Sequence, residues 1–523
     1  MPEYLHPGVY IEEIERGPRP IEGVPTSTAA FLGEADRGPI KPRMVTSYKE
    51  YQRWFGDVFA QDKFLPYAVN GFFENGGKRV YVCRIVGQDA TPAEIAFGAS
   101  FRLRASGAGS WGKRVFAKIS DSTTRDKNNQ PVGFRIQLAY WPEQNGAFTP
   151  FDAFANTKQT PRPSFTEEFD DLVTEENSPD YYGKRFPFID EAKGDTNQGP
   201  DSSALGVLVR AATAPPDAQP DRNGSPLTDA GVEDPNLGSD DYDGLPAGAR
   251  KDPQGLAALE LDPYRDVALV YAPNVDKDVQ LKIISHCENL RFRFAALDCL
   301  KTDTDPDPRT TITDTSYAAY YYPWIVISDP KTGARKLVPP GGHSLGIFAR
   351  TDSDRGVFKS PANEIVRGVL DLQVDCKDSD QDKHNPRGVN VIRRFPGRGI
   401  RLWGARTMTS NALWKYVSVR RLFIFLERSI YEGTQWVVFE PNDPRLWARV
   451  IDTIRLFLRS QWRLGALFGR TEEQAFFITC DETVMSQDDI LNGRLICEIG
   501  IAPVRPAEFV VFRIFQHTAE AQR

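Results

Sequence analysis

The sequence contains few of the residues on which metal, redox and nucleophilic chemistry usually depends. Its 523 residues include 5 histidines, 6 cysteines and 4 methionines. The cysteines stand singly, without a CxxC pair, which predicts reduced thiols rather than a disulfide framework or a zinc site. So few histidines leave few candidates for a histidine-based metal or catalytic centre, and we expect no cofactor.

Long apolar runs and a secretory signal are also missing. No stretch approaches the ~18 consecutive apolar residues of a membrane span. The first residues, MPEYLHPGVY, have neither a basic nor an apolar signal region, so we expect no secretory signal. A hydrophobic fraction of 40% and a charged fraction of 26% are typical of a soluble globular protein. The length predicts about two to four domains.

The net charge of -7 is unevenly distributed along the chain. Residues 151–262 carry 23 acidic and 9 basic side chains, a net charge of -14. Residues 389–523 carry 19 basic and 14 acidic side chains, a net charge of +5. Such a difference in sign indicates that different parts of the chain face different partners.

The chain divides into segments that differ in composition and in hydrophobic periodicity. Residues 21–87 contain compact strand and helix patterns, and residues 88–255 look like an inserted, solvent-facing segment with short alternating strands. Within it, residues 190–255 are rich in Asp, Pro, Gly, Asn and Ser, which predicts long loops or disorder. From Val267 to Ile327, strand, helix and strand patterns alternate, which predicts a βαβ unit and a parallel sheet.

Two motifs suggest an enzyme or a cation site but lack the context that either needs. Gly342–Gly346 (GHSLG) matches the GxSxG nucleophile elbow of hydrolases, but no strand enters it, and its partners would have to be residues such as Asp375 and His384. Two acidic triplets resemble the start of a calcium loop but lack its glycine and its final glutamate. The triplets are Asp303, Asp305 and Asp307, and Asp378, Asp380 and Asp382.

One predicted helix, from Pro444 to about Leu464, has an arginine stripe opposite an apolar face. At 100° per residue its five arginines fall within an arc of about 120°. Asp452 is the one acid near the stripe, so pairing within the helix does not account for it, and we expect an acidic partner. The alternative is an ordinary solvated face. The stripe consists of Arg445, Arg449, Arg455, Arg459 and Arg463.

Each end of the chain carries a strand-like run that has no obvious partner nearby. An apolar strand on a free edge promotes aggregation, so each run is expected to pair within its domain or with another subunit. The N-terminal run contains Val9, Tyr10, Ile11, Glu12, Glu13 and Ile14. The C-terminal run contains Phe509, Val510, Val511, Phe512, Arg513, Ile514 and Phe515.

Short motifs follow one another in order along most of the chain outside the insertion. In the N-terminal part they are His6–Glu13 (HPGVYIEE), Gly23–Phe31 (GVPTSTAAF), Phe72–Gly77 (FFENGG) and Val80–Val82 (VYV). In the middle part they are Tyr320–Trp324 (YYYPW), Val338–Pro340 (VPP), Gly346–Asp352 (GIFARTD) and Arg355–Glu364 (RGVFKSPANE). In the C-terminal part they are Gly404–Thr407 (GART), Trp414–Arg421 (WKYVSVRR), Phe439–Asn442 (FEPN) and Pro506–Phe509 (PAEF). In this order the motifs resemble those of the sheath proteins of contractile phage tails and bacterial contractile injection systems.

The resemblance implies a multidomain fold of the α/β and α+β classes. It implies a discontinuous inner core domain from residues 21–87 with 389–507 and a subtilisin-like α/β middle domain, 256–388, without a catalytic triad. The β-rich, loop-rich insertion 88–255 would lie outermost. Residues 1–20 would form an N-terminal exchange arm, and residues 508–523 a C-terminal exchange strand.

The resemblance also implies a structural function rather than an enzymatic one. Subunits would form hexameric rings that stack into a helical polymer around an inner tube, joined by exchange of the terminal strands. Contraction from a metastable extended state would drive the tube through a target envelope. The implied partners are other copies of the chain, an inner tube protein, and baseplate and terminal cap proteins. Nucleic acid and direct membrane insertion are not expected.

The resemblance further implies assembly in the cytoplasm as part of a phage tail or bacterial injection particle. In such a particle the arginine stripe would face the inner tube. Two alternatives from other classes stay open at this stage. One is a serine hydrolase that uses Ser344, and the other is a surface-binding module built on the insertion.

Overall fold

The computed structural model describes residues 20–143, 148–194, 199–215, 218–233, 237–244 and 254–513. The N-terminal run Val9–Ile14 and the last two residues of the C-terminal run, Ile514 and Phe515, lie outside these ranges. The described chain divides into two compact units. Residues 20–24 and 422–513 belong to one, here called the C-terminal unit, and residues 25–421 to the other, here called the sheet unit.

The strands are numbered in chain order. The first twelve are β1 Ala29–Gly33, β2 Arg43–Val45, β3 Val80–Arg84, β4 Ala93–Ala96, β5 Phe101–Ala105, β6 Val115–Asp121, β7 Phe134–Tyr140, β8 Phe165–Leu172, β9 Phe188–Asp190, β10 Gly206–Arg210, β11 Gly224–Pro226 and β12 Asp229–Ala230. The others are β13 Leu269–Tyr271, β14 Phe294–Asp298, β15 Ala318–Tyr322, β16 Ile325–Ser328, β17 Arg335–Val338, β18 Glu364–Ile365, β19 Val369–Leu372, β20 Val389–Phe395, β21 Gly399–Leu402, β22 Phe476–Thr479 and β23 Glu498–Ile501.

The helices are numbered in the same way. They are α1 Tyr48–Phe55, α2 Leu65–Glu74, α3 Tyr182–Arg185, α4 Ser239–Asp243, α5 Gly255–Leu259, α6 Lys277–Leu290, α7 Pro308–Thr311, α8 Gly341–Arg355, α9 Asp378–His384, α10 Val417–Gly433, α11 Pro444–Arg463, α12 Glu472–Ala475 and α13 Gln487–Leu491. Short 3-10 turns occur at Ser110–Arg114, Glu191–Lys193, Asp262–Tyr264, Asn385–Arg387 and Gln435–Val437.

A nine-stranded, mainly parallel sheet forms the centre of the sheet unit. Its strand order is β18-β21-β20-β15-β14-β13-β1-β3-β2, and the pairs from β3 through β1, β13, β14 and β15 to β20 are parallel. The predicted βαβ unit is confirmed, because β13 and β14 pair in parallel and α6 connects them. Asp276 starts α6 by accepting a hydrogen bond from the Val279 amide at 2.9 Å.

Both faces of this sheet are covered, as a parallel sheet requires. On one face, Leu32, Val270 and Leu297 pack in the same core as Ile283 of α6. On the other face, the Phe31 ring lies 5.3 Å from that of Phe72 in α2. Burial on both faces explains why these strands have apolar residues in succession rather than at alternate positions.

The sheet does not follow the domain boundaries that the sequence suggests. Strands β1 and β3 come from residues 21–87 and β20 and β21 from residues after 389, yet all four lie in one sheet with β13–β15. The described residues of both ends form one unit, but its N-terminal share ends at Val24 and its C-terminal share begins at Leu422. Ile21 lies against Gly433, and the Val24 amide donates to Ser429 Oγ at 3.1 Å. In the sheet unit, parallel pairing joins Ala29 of β1 to Leu269 of β13, about 240 residues later, and no local pattern specifies it.

The insertion forms two antiparallel-rich sheets around one core. Their strand orders are β12-β4-β5-β10-β9 and β11-β6-β7-β8. The prediction of loops or disorder throughout 190–255 is wrong for part of this range. Strand β10 is an interior strand, and Leu205, Leu208 and Leu227 are completely buried. A few well-placed leucines form core contacts that average composition does not reveal.

Buried charges join the insertion to the main sheet inside the sheet unit. Arg84, at the end of β3, donates to the carbonyl of Gly38 at 3.3 Å and to that of Ala108 at 2.7 Å. Asp36 accepts from the Tyr140 hydroxyl at 2.7 Å and from Arg114 at 3.1 Å. Because these groups are largely removed from water, losing one partner would leave a buried charge or acceptor unsatisfied.

Among the described residues, no helix combines the length and the apolar character that crossing a bilayer would need.

Candidate assembly interface

Helix α11 places the arginine stripe on an exposed face of the C-terminal unit. The predicted helix over 444–464 is confirmed as Pro444–Arg463. Asp443 caps it by accepting from the amides of Arg445 and Leu446 at 3.0 and 2.8 Å, and Pro444 occupies the first turn, where it needs no donor. The apolar face is buried through Leu446, Trp447, Val450, Ile454, Phe457 and Leu458.

Acids from outside the helix pair with three of the five arginines. Arg449 lies 2.9 Å from Glu440. Arg459 lies 2.6 Å from Glu472 of α12, and Arg455 lies 3.8 Å from the same carboxylate. Within the helix, Asp452, the one acid near the stripe, lies 3.5 Å from Arg455, so the folded unit supplies the stripe with more acidic neighbours than its own helix does. Among the described residues no ion pair forms at Arg445 or Arg463, and both are exposed.

An exposed leucine interrupts this charged face. Leu456 lies between the arginines in helical projection and is half exposed. Leu464, just after the helix, and Phe468 are more exposed still. Arginines mixed with exposed apolar side chains are more typical of a binding surface than of a solvated helix face.

The C-terminal unit also contains a sheet of two strands. Strands β22 and β23 pair antiparallel, from Phe476 opposite Ile501 to Thr479 opposite Glu498. In the described residues each strand has one paired edge and one edge with no further strand. Such edges present free backbone donors and acceptors, so the sheet can accept additional strands.

The C-terminal run leaves its apolar side chains in solvent. Phe509, Val510, Val511 and Phe512 are 67–84% exposed. Residues 509–513 form no strand in the isolated chain. The predicted strand is therefore not formed over its described part, Phe509–Arg513, and the described residues of the unit leave these apolar side chains largely exposed.

The GxSxG motif is part of a helix and not a nucleophile elbow. Ser344 lies in the first turns of α8, is 1% exposed, and donates to the Pro340 carbonyl at 3.0 Å. A Cβ atom on Gly342 would lie 2.5 Å from the Ala68 carbonyl oxygen, and one on Gly346 would lie 2.5 Å from that of Phe72. The glycines at positions four apart thus let α8 approach α2, and helix packing explains the motif.

The residues considered as triad partners of Ser344 have other contacts. The Asp375 carboxylate lies 3.7 Å from Arg394. The His384 ring packs on Tyr322, with centroids 5.2 Å apart, and lies near Asp305. His343, the neighbour of Ser344, is buried against Gly71, and burial lowers its pKa to about 4. The hydrolase alternative is not supported by this arrangement.

The acidic triplets contact basic and backbone groups. Asp303 accepts from the Tyr320 hydroxyl at 2.8 Å, and Asp305 lies 2.9 Å from Arg387. Asp378 begins α9 and lies 2.8 Å from Arg393, while Asp380 accepts from the Lys377 amide. Among the described residues, no three His, Cys, Asp or Glu side chains come together as a metal site.

Sequence reasoning missed several exposed apolar side chains in this unit. Phe439 has a fully exposed ring and a φ of 68°, which is a rare backbone conformation for a bulky residue. Phe477 of β22 and Leu491 of α13 are also exposed. The one available signal was the apolar pair Val438-Phe439 directly before a turn sequence, where a buried strand is not expected.

Family models match two adjoining segments of the chain. Residues 238–408 match the phage tail sheath protein central domain, and residues 409–517 match the phage tail sheath C-terminal domain. The first match covers the sheet from β13 to β21, and the second contains helix α11 and the two-stranded sheet.

Curated relatives are tail sheath proteins that the chain matches in part. A putative prophage major tail sheath protein of Pseudomonas aeruginosa is 26% identical over 196 residues, which are 37% of this chain and 49% of the relative. The tail sheath protein of Burkholderia phage BcepMu is 30% identical over 157 residues, 28% of this chain and 33% of the relative. The matched stretches thus span about half or less of these relatives.

Solved sheath structures share the fold over nearly the whole chain. The sheath of an extracellular contractile injection system, PVC, in the contracted state has a TM-score of 0.57 at 21% identity and covers 99% of this chain and 100% of that one. The contracted helical sheath of the anti-feeding prophage has a TM-score of 0.56 at 22% identity, with 98% and 99% covered. A sheath tail protein of Listeria innocua has a TM-score of 0.56 at 11% identity, with 93% and 96% covered.

The expected mixed α/β multidomain fold is therefore confirmed. The two matched family domains adjoin and together cover more than half of the chain. From these matches, the chain belongs to the family of contractile tail sheath proteins.

Proposed function

We propose that this chain is a structural subunit of a contractile sheath. Its copies polymerise around an inner tube as stacked hexameric rings, and the polymer contracts from a metastable extended state to drive the tube through a target envelope. The observation that carries the proposal is that this member of the tail sheath family exposes an apolar terminal run in its C-terminal unit. The same unit contains a two-stranded sheet whose outer edges carry no further strand among the described residues.

The terminal runs are the links between subunits in this proposal. Residues 509–513 are exposed and unpaired in the isolated chain, so burial against a neighbouring subunit would remove their apolar side chains from water at about 25 cal/mol per Å². Added strands bind mainly through backbone hydrogen bonds. Such links tolerate rotation of subunits better than contacts that depend on a single side-chain geometry.

The decisive experiment removes one link and leaves the folded units intact. Deleting residues 508–523 should abolish polymers that the full chain forms, seen by negative-stain microscopy and sedimentation, while the circular dichroism spectrum stays that of a folded monomer. Deleting residues 1–15 should have the same effect. Sheath-like polymers from either deletion would overturn strand exchange.

A control tests whether loss of any exposed apolar side chain has this effect. Leu370 on β19 is an exposed apolar side chain, at 52%, that lies in the sheet unit. Leu370→Ser should polymerise like the unchanged protein. Failure of that variant would mean that assembly depends on general surface hydrophobicity.

The arginine face of α11 is the part of the subunit that meets an acidic inner tube in this proposal. Arg445 and Arg463 carry exposed charges without an intramolecular ion pair among the described residues. Ion pairs with a partner at this face would be screened over about 10 Å at 0.1 M salt, which permits release when the sheath widens. Baseplate and terminal cap proteins would contact the ends of the polymer.

Charge reversal separates tube binding from sheath formation. Arg445→Glu with Arg463→Glu should leave the folded unit stable, since neither side chain is paired in it, and should reduce co-assembly with the tube protein. The control is Arg162→Glu, an exposed arginine of the insertion. Normal tube-filled particles from the double variant would refute this placement of the stripe.

The remaining parts of the proposal concern domain detail. A subtilisin-like fold of residues 256–388 without a working triad fits the parallel sheet and the helical position of Ser344.

The relatives are structural sheath proteins, and we propose that this chain is likewise not an enzyme. Absence of labelling by a fluorophosphonate probe in the folded chain is the expected outcome, and labelling at Ser344 would contradict it.

A further inference from the structure

Two of the six cysteines adjoin the two-stranded sheet of the C-terminal unit. Cys480 directly follows β22, and Cys497 directly precedes β23. The last pair of the antiparallel ladder at this end is Thr479 opposite Glu498. Continued by one residue on each strand, this register places Cys480 opposite Cys497. The two sulfur atoms lie close enough for each thiol to affect the pKa of the other. This pairing is independent of any sheath function.

The backbone geometry at this pair suits a disulfide. The Ala502 amide donates to the Ala475 carbonyl at 2.9 Å, so that opposed pair is hydrogen-bonded. Hydrogen-bonded and non-hydrogen-bonded pairs alternate along an antiparallel ladder, so the continued register makes Cys480 and Cys497 a non-hydrogen-bonded pair, a type whose Cα atoms are typically about 4.5 Å apart. Disulfides require a Cα separation of about 4.4–6.8 Å.

The two thiols also differ in access in a way that suits stepwise oxidation. Cys480 is 2% exposed and shares the buried sheet face with Phe476, whereas Cys497 is partly exposed. An oxidant can therefore reach Cys497, and Cys480 is protected from other reactions. We propose that Cys480 and Cys497 form a cross-strand disulfide when the protein meets a low-molecular-weight disulfide such as oxidised glutathione.

The reaction balances as two thiol–disulfide exchanges. The Cys497 thiolate attacks one sulfur of the oxidant, forming a mixed disulfide and releasing one reduced thiol. The Cys480 thiolate then attacks the Cys497 sulfur and releases the second reduced thiol. The protein loses two protons and two electrons, which the oxidant gains.

Burial makes this reaction slow at neutral pH. Loss of water around the sulfur raises the pKa of Cys497 to about 12, and burial also raises the pKa of Cys480. The thiolate is the reactive form, so the pair persists as a dithiol under reducing conditions and reacts gradually under oxidising ones.

A disulfide here would change the sheet that the proposed strand exchange uses. It would close the segment 481–496, which includes α13, and fix the register of β22 against β23 at its open end. The disulfide would lower the conformational entropy of the unfolded unit, and this stabilises the folded state of the oxidised form. The redox state of the medium would thereby set the rigidity of this sheet.

The test is a thiol count and peptide map of the full chain before and after treatment with oxidised glutathione. The treated protein should keep four of its six thiols, lose about 2 Da, as one disulfide requires, and yield a linked peptide containing Cys480 and Cys497. Cys497→Ser should yield no linked peptide and keep Cys480 unmodified. Cys376→Ser, which removes a partly exposed cysteine of the sheet unit, should still form the link.

Two results would overturn the proposal. One is a stable glutathione adduct at Cys497 that never resolves to the linked peptide. The other is linkage of either cysteine to a different one. Since the map of the unchanged protein gives the answer directly, a serine variant that fails to fold does not affect the test, and a sheath that fails to assemble does not either.

Discussion

The sheet unit and the C-terminal unit bury their apolar side chains to different degrees. In the sheet unit, the main sheet is covered on both faces and the insertion has its own closed core. The C-terminal unit has less than a quarter of the described residues but more than half of the exposed large apolar side chains found among them. The sheet unit thus has the larger closed cores, and the C-terminal unit has the apolar surface on which the proposed assembly depends.

The buried charges follow the same division. The Arg421–Asp352 pair of the sheet unit is almost completely buried, at 3% and 5% side-chain exposure. The arginine pairs of α11 lie at the surface, where water screens them. A buried pair fixes one arrangement of the chain, whereas exposed pairs can exchange partners at low cost.

The largest expected effect is on assembly and comes from the C-terminal unit. Replacing Phe509, Val510, Val511 and Phe512 by serine should abolish polymerisation, because the added strand loses its apolar contacts. The thermal midpoint of the monomer should stay unchanged, since these side chains have no partner in the isolated chain. Analytical ultracentrifugation and calorimetry measure the two quantities, and a lowered midpoint would show that the run packs within its own subunit.

The largest effect on stability is expected at Arg421. This guanidinium contacts Asp352 at 2.5 and 2.9 Å and donates to the Thr26 carbonyl at 3.0 Å. Arg421→Met should destabilise the sheet unit by about 3–5 kcal/mol, because a buried carboxylate loses its partner. Arg449→Met, which breaks the exposed pair with Glu440, should cost less than about 1 kcal/mol. If urea titrations gave similar losses of unfolding free energy for both variants, the buried pair and the exposed pair would not differ in their contribution to stability.

Next in size is the effect of filling the contact between α2 and α8. Gly346→Val should destabilise the sheet unit by about 1–3 kcal/mol or more, because its side chain would meet the backbone of Phe72. Ser344→Ala, two residues away, should change stability by no more than about 1 kcal/mol and leave assembly intact. A large loss of assembly from Ser344→Ala alone would show that the Ser344 hydroxyl is needed for assembly.

Acid should weaken the sheet unit selectively. Burial lowers the pKa of His343 to about 4, and burial with the Arg293 guanidinium lowers that of His286 to about 3. The contribution of these neutral histidines to the free energy of unfolding is complete above pH 6.5. It is lost as the pH falls towards the two pKa values, by about 1.4 kcal/mol for each histidine and each pH unit. Burial raises the pKa of Asp298 to about 7, which opposes the loss over the same range.

The measurement is the thermal midpoint of each unit between pH 7 and pH 4.5. Two histidines outweigh one aspartate, so the midpoint of the sheet unit should fall, and in Asp298→Asn it should fall more steeply. Histidines among the described residues lie in the sheet unit alone, so the C-terminal unit should change less. A parallel decline of both units would indicate that other groups dominate.

Local patterns in the sequence predicted the elements whose stability depends on nearby residues. A helix between the strands of the βαβ unit was predicted and is α6, and α11 was predicted from Pro444 and its arginine and apolar faces. The arginines of the candidate interface were found in the same way. Periodicity reveals which side of a helix is apolar, because the side-chain directions follow from the backbone alone.

Partners distant in sequence could not be predicted. Glu472 pairs with Arg459 although it lies on another helix, and nothing in the stripe indicates this neighbour. The motif around Ser344 matches the GxSxG pattern of hydrolases. Its glycines instead allow close packing against α2, which is more than 250 residues earlier in the chain. Such contacts depend on how separate elements meet, and one-dimensional spacing does not contain that information.

The sequence by itself determined the family, the βαβ segment, the arginine helix and the apolar terminal run, since each is encoded in contiguous residues. Only the tertiary structure decided that β1 and β3 join the central sheet, that acids neutralise part of the stripe, and that Thr479 and Glu498, the neighbours of Cys480 and Cys497, are paired. The reason is that strand register and ion pairing are set by long-range packing, where segments far apart in the chain compete for the same neighbours.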